Sequence, residues 1–163
     1  MSATHTHHYA ATIRWAGNRG TGTSGYRDYD RDWDWLAEGM EVVHGSADPA
    51  FRGDGARHNP EDMLVAALSS CHLLWYLHFC ADAGIVVTAY EDNATGEMAT
   101  QRGGAGEFAS VTLRPRVTIA PDDEGAGNTE KALALHEKAH EFCFIARSVN
   151  FPVGCEAEIT VGA

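Results

Sequence analysis

Alternating apolar and polar side chains dominate the first third of the chain and predict short strands. Positions 9–15 and 26–33 alternate, and a loop rich in Gly, Thr and Ser separates them over 17–25. A third short candidate covers 40–43. Alternation with a period of two, bounded by turn residues, is typical of strands with one buried face. We therefore expect three strands joined by polar loops in this part of the chain.

The pattern then changes to a nearly continuous apolar run, which predicts a long helix. Asn59 suits the N-cap, Pro60 suits the first helical position, and the two acidic residues that follow suit the positive end of the helix dipole. The run continues to Ala83 and stops at Gly84. Apolar residues lie on nearly every side of this helix, so we expect it to be buried all round.

Beyond this helix the pattern predicts a pair of long strands. The segments 85–98 and 108–119 are rich in alternating and β-branched apolar residues, and a loop around Arg102-Gly103-Gly104 separates them. Two such segments joined by a glycine-containing loop are typical of a hairpin. We expect a hairpin here.

A second helix and a final strand complete the pattern. After a turn over 121–127, a helical pattern begins at Asn128 and reaches about Val149, and a strand covers 157–161. The predicted order is βββαββαβ, an α+β fold. With 163 residues and 44% hydrophobic content, the chain suffices for a single domain over 1–163 and not for two. We expect the polar, histidine-rich start, residues 1–8, to be disordered.

The charge balance narrows the class of partner. The formal net charge is −11 at pH 7, whereas binding to nucleic acid or to an anionic membrane needs a basic surface. We therefore expect a small-molecule partner, no nucleic acid and no membrane. The first residues do not read as a secretory leader and we expect no membrane span, so the sequence predicts a soluble, cytoplasmic protein.

The four cysteines suggest redox chemistry. In a reducing compartment thiols stay free, so any disulfide is expected to be transient and catalytic. Cys71 and Cys143 lie in the two predicted helices, whereas we interpret Cys80 and Cys155 as packing residues. The absence of a C-x-x-C motif argues against a thioredoxin-type or zinc-ribbon site.

One segment resembles a known family. Residues 59–72 read Asn-Pro-Glu-Asp-Met-Leu-Val-Ala-Ala-Leu-Ser-Ser-Cys-His, which is similar to the Asn-Pro-Glu opening and following peroxidatic cysteine of the OsmC/Ohr family of thiol peroxidases. The resemblance covers nearly the whole chain. It implies an intertwined homodimer whose sheets pack around two central helices, with active sites at the interface, and it implies reduction of organic hydroperoxides. A dithiol, in this family often a lipoylated protein, would be the reductant.

The chemistry of peroxide reduction assigns roles to particular residues. A thiolate at Cys71 would cleave the weak O–O bond, and a guanidinium would stabilise both the thiolate and the leaving oxygen. Glu61 could hold that arginine in a bidentate pair. Arg52 follows the OsmC-like pattern and is favoured, whereas Arg19 follows the Ohr pattern and is the alternative. Cys143 occupies the position of the family's resolving cysteine, and no cofactor is implied.

Helix geometry limits which chain supplies Glu61. Ten positions along a straight helix correspond to a rise of about 15 Å, which is beyond the reach of a glutamate side chain. If Glu61 and Cys71 serve one site, either the helix is broken near its start or Glu61 comes from the dimer partner.

A zinc motif competes with this interpretation. The segment from His136 to His140 reads H-E-x-x-H, which on a helix places two imidazoles one turn apart. The short pattern recurs by chance in a chain with nine histidines, so we interpret both as exposed helix residues and expect no metal. We expect His72 and His78 to be core or interface histidines.

The surroundings of Cys71 predict the class of substrate. The following side chains are expected to form an apolar pocket that favours alkyl or lipid-like hydroperoxides: Leu68, Leu74, Trp75 and Phe142. One alternative of a different class stays open, because Phe144 follows Cys143 where the family commonly has proline. In that alternative the protein is a non-enzymatic dimer of the same fold that binds a small apolar ligand or senses redox state.

Overall fold

The computed structural model of the chain describes residues 5–121 and 128–162, and it confirms a mixed α+β fold with two helices and three small sheets among them. Two compact units are present, 1–63 and 64–163. Residues 1–4 of the segment expected to be disordered lie outside the described residues, and so do positions 122–127 of the expected turn. Residues 5–8 are exposed and have no regular secondary structure.

The first unit contains an antiparallel sheet in the order β1-β2-β3. Its strands are β1 (Thr12–Trp15), β2 (Trp33–Leu36) and β3 (Val43–Gly45), which confirms three strands. The expected strand over 26–33 is wrong, since β2 begins only at Trp33.

Arg31 explains why the alternating segment before β2 does not form a strand. Its guanidinium donates to the carbonyls of Tyr29 and Tyr26, at 2.6 and 2.7 Å. The guanidinium also lies 4.5 Å from the ring centroid of Tyr26 and 4.1 Å from that of Tyr29. Cation–π contacts and hydrogen bonds to carbonyl groups therefore fold this segment into a loop.

The first helix, α1 (Pro60–Asp82), has the start and the end that the sequence predicts. The side chain of Asn59 accepts from the backbone N–H of Asp62 at 2.7 Å and donates to the Asp62 carboxylate at 3.0 Å. This arrangement satisfies a backbone donor that a helix N-terminus would leave without a partner. Gly84 follows the helix with φ of 74°, a left-handed conformation suited to glycine.

The expectation that α1 is buried all round is wrong for the single chain. One face is exposed, and we call it the open face of α1: Ala66, Ser70, Leu74, Leu77, His78 and Ala81. The spacing of three and four residues places these side chains in one stripe along the helix.

The first helix also meets the length and composition of a membrane span, which the sequence analysis does not anticipate. The segment from Met63 to Ala81 lacks Asp, Glu, Lys and Arg, and by length and composition alone α1 could cross a bilayer. Its most apolar window has a mean hydropathy of 1.5. The core helix of a soluble protein meets the same criteria.

The predicted hairpin is present in the second unit, but each of its two long strands is divided. The strands are β4 (Val87–Asp92), β5 (Thr95–Thr100), β6 (Gly106–Leu113) and β7 (Pro115–Ile119). β5 pairs with β6, and β4 pairs with β7, both antiparallel. The Asp92 carboxylate lies at the division, where it accepts from the Arg114 backbone N–H at 2.6 Å and from the Ser69 hydroxyl at 2.5 Å.

Two short parallel strands complete these sheets. β8 (Val153–Cys155) pairs with β6, and β9 (Glu158–Val161) pairs with β7. β9 is the predicted final strand, whereas β8 was not predicted, because three residues with a central glycine give no recognisable alternation. The sheet orders are β4-β7-β9 and β5-β6-β8.

The second helix, α2 (Thr129–Phe142), ends earlier than the sequence predicts. Cys143 leaves the helical conformation with ψ of 110° and forms the C-cap. Its sulfur accepts from the backbone N–H of Ala146 at 3.4 Å, and a short 3-10 turn follows at Ala146–Ser148. The helix therefore ends where the Cys143 sulfur accepts a hydrogen bond from the following turn. No glycine or proline marks this end in the sequence.

α1 supplies residues to two hydrophobic clusters of the second unit. The larger cluster contains Tyr76, Phe79, Cys80, Ile85, Val117, Ile119, Ala132 and Ala139. The smaller one contains Leu68, Val111 and Leu113. Cys80 is therefore a packing residue, as predicted.

The two helix starts offer a matched test of the Asn59 cap. We expect Asn59→Ala to lower the free energy of unfolding by about 1 to 2 kcal/mol, because a capping side chain is lost. Asn128→Ala should change it by only a few tenths, since Asn128 precedes α2 without a side-chain cap hydrogen bond. Urea unfolding at one fixed protein concentration measures both. Equal effects of the two substitutions would contradict the capping role.

Candidate functional site

The structure brings Cys71 and Cys143 together. Cys71 lies in the middle of α1 and is half-buried, whereas Cys143 lies at the end of α2 and is 1% exposed. The two thiols are close enough that Cys71 contributes, after burial, to raising the pKa of Cys143. The pair that the sequence singled out on two separate helices is thus a neighbouring pair of free thiols.

Burial dominates the electrostatics of Cys143. Burial raises the pKa of Cys143 to about 11, the hydrogen bond from the Ala146 N–H opposes that shift, and the neighbouring Cys71 adds to it. Cys143 is therefore a protonated thiol at neutral pH.

An apolar cavity of about 360 Å³ opens beside Cys71. Its walls are Cys71, Leu74, Trp75, His78 and Phe144. Leu74 and Trp75 confirm part of the expected pocket. Leu68 does not belong to it, because this side chain is completely buried in the smaller core cluster. Phe142 is not part of the cavity lining but contacts one of its residues, Trp75, with ring centroids 5.3 Å apart.

Arg52 lies in the first unit, in a turn that is tightly fixed. Its backbone has φ of 68°, a left-handed conformation that is uncommon for a residue other than glycine. The next residue, Gly53, has no room for a side chain, since a Cβ there would lie 1.6 Å from the Ala47 carbonyl oxygen. The N–H of Asp54 donates to the hydroxyl of the buried Ser46 at 3.0 Å. The turn thus presents Arg52 on the surface while its neighbours anchor it.

The two candidate arginines, Arg19 and Arg52, differ in the partners that their side chains contact. Arg19 contacts Asp30 at 3.6 Å and donates to the Arg27 carbonyl. Arg52 forms no ion pair with the described residues, and its guanidinium lies 5.9 Å from the ring centroid of Tyr26. Arg52 is thus available for a further acidic partner, whereas Arg19 is engaged.

Glu61 lies in the first turn of α1, and one of its two carboxylate oxygens lacks a hydrogen bond. Its Oε2 atom is buried and has no hydrogen-bond partner among the described residues. The expected pair with Arg52 is not formed within one chain. α1 is a single helix without a break from Pro60 to Asp82, so the alternative of a helix broken near its start is removed.

A second cluster of polar side chains was missed by the sequence analysis. His72 is fully buried, His136 is 4% exposed, and Cys155 is half-buried. His72 Nε2 lies 2.9 Å from His136 Nδ1 and 3.8 Å from Cys155 Sγ. The interpretation of His136 as an exposed helix residue is therefore wrong. Cys155 packs against the smaller core cluster, as predicted, and also lies beside His72.

Burial governs the charge of this cluster. It lowers the pKa of His72 to about 4, with a smaller lowering contribution from His140. It likewise lowers the pKa of His136 to about 3, with His72 adding to the shift. Burial raises the pKa of Cys155 to about 11. At neutral pH all three groups are thus uncharged.

The remaining histidines lie closer to the surface. His140 lines a cavity of about 640 Å³ together with His136 and Cys155, so the two histidines of the H-E-x-x-H segment share a cavity wall. His78 is an exposed residue of the open face of α1 and lies 3.5 Å from the Asp82 carboxylate. The expectation of a core histidine is confirmed for His72 only.

Comparison with known proteins places these residues in a family. Residues 53–158 match the family described as OsmC-like protein. A solved structure of an OsmC-like protein of unknown function from Vibrio cholerae O1 biovar eltor str. N16961 is 30% identical and has a TM-score of 0.83, with 94% of this chain and 100% of that chain covered. The uncharacterized protein YmaD of Bacillus subtilis (strain 168) is 24% identical over 160 residues, 96% of this chain and 97% of that protein.

A more distant structure carries a functional name. The organic hydroperoxide resistance protein of Elizabethkingia anophelis is 17% identical, with a TM-score of 0.66 and 99% of this chain and 100% of that chain covered. At this identity the comparison shows a shared fold.

The buried imidazoles predict acid sensitivity. The unfolded chain takes up protons at both histidines as the pH falls through 6.5, whereas the folded chain does so only near the lowered pKa values of about 4 and about 3. Their contribution is therefore fully present above pH 6.5 and is lost on acidification. In buffer with a metal chelator, we expect the free energy of unfolding to fall by roughly 5 kcal/mol between about pH 7 and pH 4.5, about half of it from each histidine.

A pair of variants isolates this effect. His136→Gln should flatten the pH dependence, whereas His7→Gln, at an exposed position, should leave it unchanged. Urea unfolding across the pH range measures the slopes, and an unaltered slope in His136→Gln would refute the assignment.

Proposed function

The chain belongs to the OsmC-like protein family, and from this premise we propose that it is a cysteine-based peroxidase that reduces organic hydroperoxides. The observation that carries the proposal is the proximity of the thiols of Cys71 and Cys143 beside an apolar cavity. Two structural neighbours named as organic hydroperoxide resistance proteins, from Elizabethkingia anophelis and Legionella pneumophila, support it.

The proposed reaction proceeds in two steps at the thiol pair. The Cys71 thiolate attacks the terminal peroxide oxygen, an S–O bond forms, the O–O bond breaks, and the alkoxide leaves and takes up a proton as the alcohol. The Cys143 thiol then attacks the sulfenic acid of Cys71, an S–S bond forms, and water leaves. An external dithiol returns both cysteines to thiols by exchange. The net change is reduction of one hydroperoxide to alcohol and water for each dithiol oxidised.

The burial of the two thiols supports these roles. Burial raises the pKa of Cys143 to about 11 and keeps this group protonated at neutral pH, whereas Cys71 is the more exposed sulfur and lines the cavity. An assignment with the roles exchanged would place the nucleophile at the more deeply buried sulfur.

Arg52 and Glu61 complete the proposed site from a second copy of the chain. The unbroken α1 keeps Glu61 and Cys71 of one chain about 15 Å apart, so the pair would serve the Cys71 of the partner. The buried, unpartnered Oε2 of Glu61 and the unpaired guanidinium of Arg52 suit an ion pair formed on association. The arginine would donate to the leaving oxygen.

A homodimer agrees with the surface of α1. Leu74 is 67% exposed and Leu77 is 37% exposed on its open face, and a second copy would cover these side chains. We propose that the chain acts as one domain within such a dimer and functions in the cytoplasm. The apolar wall at Cys71 favours hydroperoxides with alkyl or lipid-like groups.

Cysteine variants test the reaction. We expect Cys71→Ser to reduce cumene hydroperoxide consumption in the presence of a dithiol to the rate of buffer alone. Cys143→Ser should form the sulfenic acid of Cys71 but should not form an intramolecular disulfide. Cys80→Ser is the matched control, because Cys80 lies on the same helix in the hydrophobic core. Peroxide consumption and intact mass after one turnover give both results.

Arginine variants separate the two candidates in the same assay. Arg52→Ala should lower the rate of Cys71 oxidation by about 10²-fold, because a donor to the leaving oxygen is lost. Arg19→Ala should leave the rate nearly unchanged. Full peroxidase activity of Cys71→Ser would contradict the role of Cys71. A wild-type protein that consumes no peroxide with dithiol present would overturn the proposed function and favour a non-enzymatic dimer that binds an apolar ligand.

The dimer is tested on the open face of α1. Leu77→Glu should convert a wild-type dimer of about twice the 17.6 kDa chain mass into monomer, because a carboxylate would be buried in an apolar interface. Val86→Glu is the control, at a side chain that is 61% exposed but outside α1. Sedimentation equilibrium measures both, and a monomeric wild-type protein would contradict the proposed assembly.

A further inference from the structure

The cluster of His72, His136 and Cys155 has the composition and spacing of a metal site. One donor atom from each residue lies within 4.8 Å of the donor atoms of the other two. We propose that these three residues bind a divalent cation of the zinc type, with a fourth coordination position open to the adjoining cavity. This site is separate from the Cys71–Cys143 pair and does not depend on the proposed peroxidase activity.

The distances between the donors suit tetrahedral coordination. Zn–N bonds of about 2.0 Å and a Zn–S bond of about 2.3 Å place tetrahedral ligand atoms roughly 3.3 to 3.6 Å apart. His72 Nε2 and His136 Nδ1 are 2.9 Å apart, and His72 Nε2 and Cys155 Sγ are 3.8 Å apart. Shifts of a few tenths of an ångström would bring these pairs to the tetrahedral spacing. Two imidazoles and one thiolate are also ligands that zinc prefers.

Hydrogen bonding among the described residues does not account for the two buried imidazoles. His72 Nδ1 and His136 Nε2 are both buried and have no hydrogen-bond partner there. With a single hydrogen bond between the two rings, either choice of tautomer leaves a buried N–H and a buried lone pair unsatisfied. A structural histidine pair would ordinarily have partners on the outer nitrogens. Here the polar contacts of the two rings are confined to the inner nitrogens, where the Cys155 sulfur also lies.

Coordination would fix the proton of each ligand. With the cation at the inner nitrogens, each imidazole would be neutral and would carry its proton on the outer nitrogen. Cys155 would lose its proton as the metal–sulfur bond forms, and about one proton would be released for each cation bound.

Negative charge surrounds the cluster. The Asp92 carboxylate is close enough to raise the pKa of both His72 and Cys155, as a nearby negative charge does. The cavity of about 640 Å³ next to His136 and Cys155 has three further carboxylates in its wall, those of Glu137, Glu141 and Glu156. These groups would attract a cation and leave its fourth position accessible to water or a small ligand.

The ligands come from three elements that the fold holds firmly. His72 lies on α1, His136 on α2 and Cys155 at the end of β8. The Tyr76 ring stacks on the His136 imidazole, with centroids 3.8 Å apart and an angle of 11° between the planes. Tyr76 is therefore a positioning residue that fixes the orientation of one ligand.

Cobalt provides a direct test, since Co²⁺ replaces Zn²⁺ in tetrahedral sites and reports thiolate ligation by a charge-transfer band. Reduced, chelator-treated wild-type protein should bind one Co²⁺ per chain with this band, and excess Zn²⁺ should abolish it. Cys155→Ser should remove the band and weaken binding at least about tenfold. Cys143→Ser should retain the band, which excludes coordination at the thiol pair.

A second measurement on the wild-type protein covers the case in which Cys155→Ser does not fold. Zn²⁺ should slow the alkylation of Cys155 by N-ethylmaleimide at least about tenfold, as read by peptide mass spectrometry, and should leave Cys71 alkylation unchanged. Binding to the exposed histidines 5, 7 and 8 would give neither the band nor the protection. The proposed metal site would be overturned if the wild type lacked the band, if Cys155→Ser retained it or if Cys143→Ser lost it.

Discussion

The placement of α1 is the constraint on which the rest of the second unit depends. This helix supplies Leu68 to one hydrophobic cluster and Tyr76, Phe79 and Cys80 to the other. Consecutive residues of a helix point about 100° apart, so Cys71 and the next residue, His72, point to different surroundings. Cys71 contacts Cys143, whereas His72 contacts His136 and Cys155. Packing of a single helix therefore positions both clusters of reactive side chains.

The end of α2 is the second determinant. His136 lies within the helix and Cys143 forms its C-cap, so one element carries a member of each cluster. If the helix continued beyond Phe142, the backbone at Cys143 would keep a helical conformation instead of its observed ψ of 110°. The hydrogen bond from the Ala146 N–H to the Cys143 sulfur stabilises the observed turn. The local structure that ends α2 thus also orients the thiol toward Cys71.

Features with strong local signals could be predicted from the sequence. The Asn59 cap, the start of α1 at Pro60 and the stop at Gly84 depend on side chain to backbone bonds and backbone dihedrals of neighbouring residues. The hairpin was likewise predicted from its glycine-containing loop. The division of its strands was not, because the Asp92 carboxylate satisfies the Arg114 N–H across the sheet, a contact between distant positions. The loop before β2 was also missed, since cation–π contacts of Arg31 outweighed the alternation.

The candidate sites were likewise predictable only where the sequence carries a recognisable signal. Cys71 and Cys143 were singled out by chemistry and by family resemblance, and the structure brings them together. The cluster around His136 could not be predicted from the i, i+4 pair with His140, because that spacing does not show which of the two imidazoles is buried. The helical spacing of the buried residues Ala132, His136 and Ala139 was a signal that His136 faces inward. Cys155 could not have been associated with them, because it lies on β8, a strand too short to be recognised.

The most direct test of the central claim is to map disulfides after oxidation of the reduced protein with one equivalent of cumene hydroperoxide. Peptide mass spectrometry should find a Cys71–Cys143 disulfide within the time that the peroxide is consumed, with Cys80 and Cys155 still as thiols. The account would be contradicted if Cys71 remained a free thiol after exposure to the peroxide, or if a disulfide formed without Cys71.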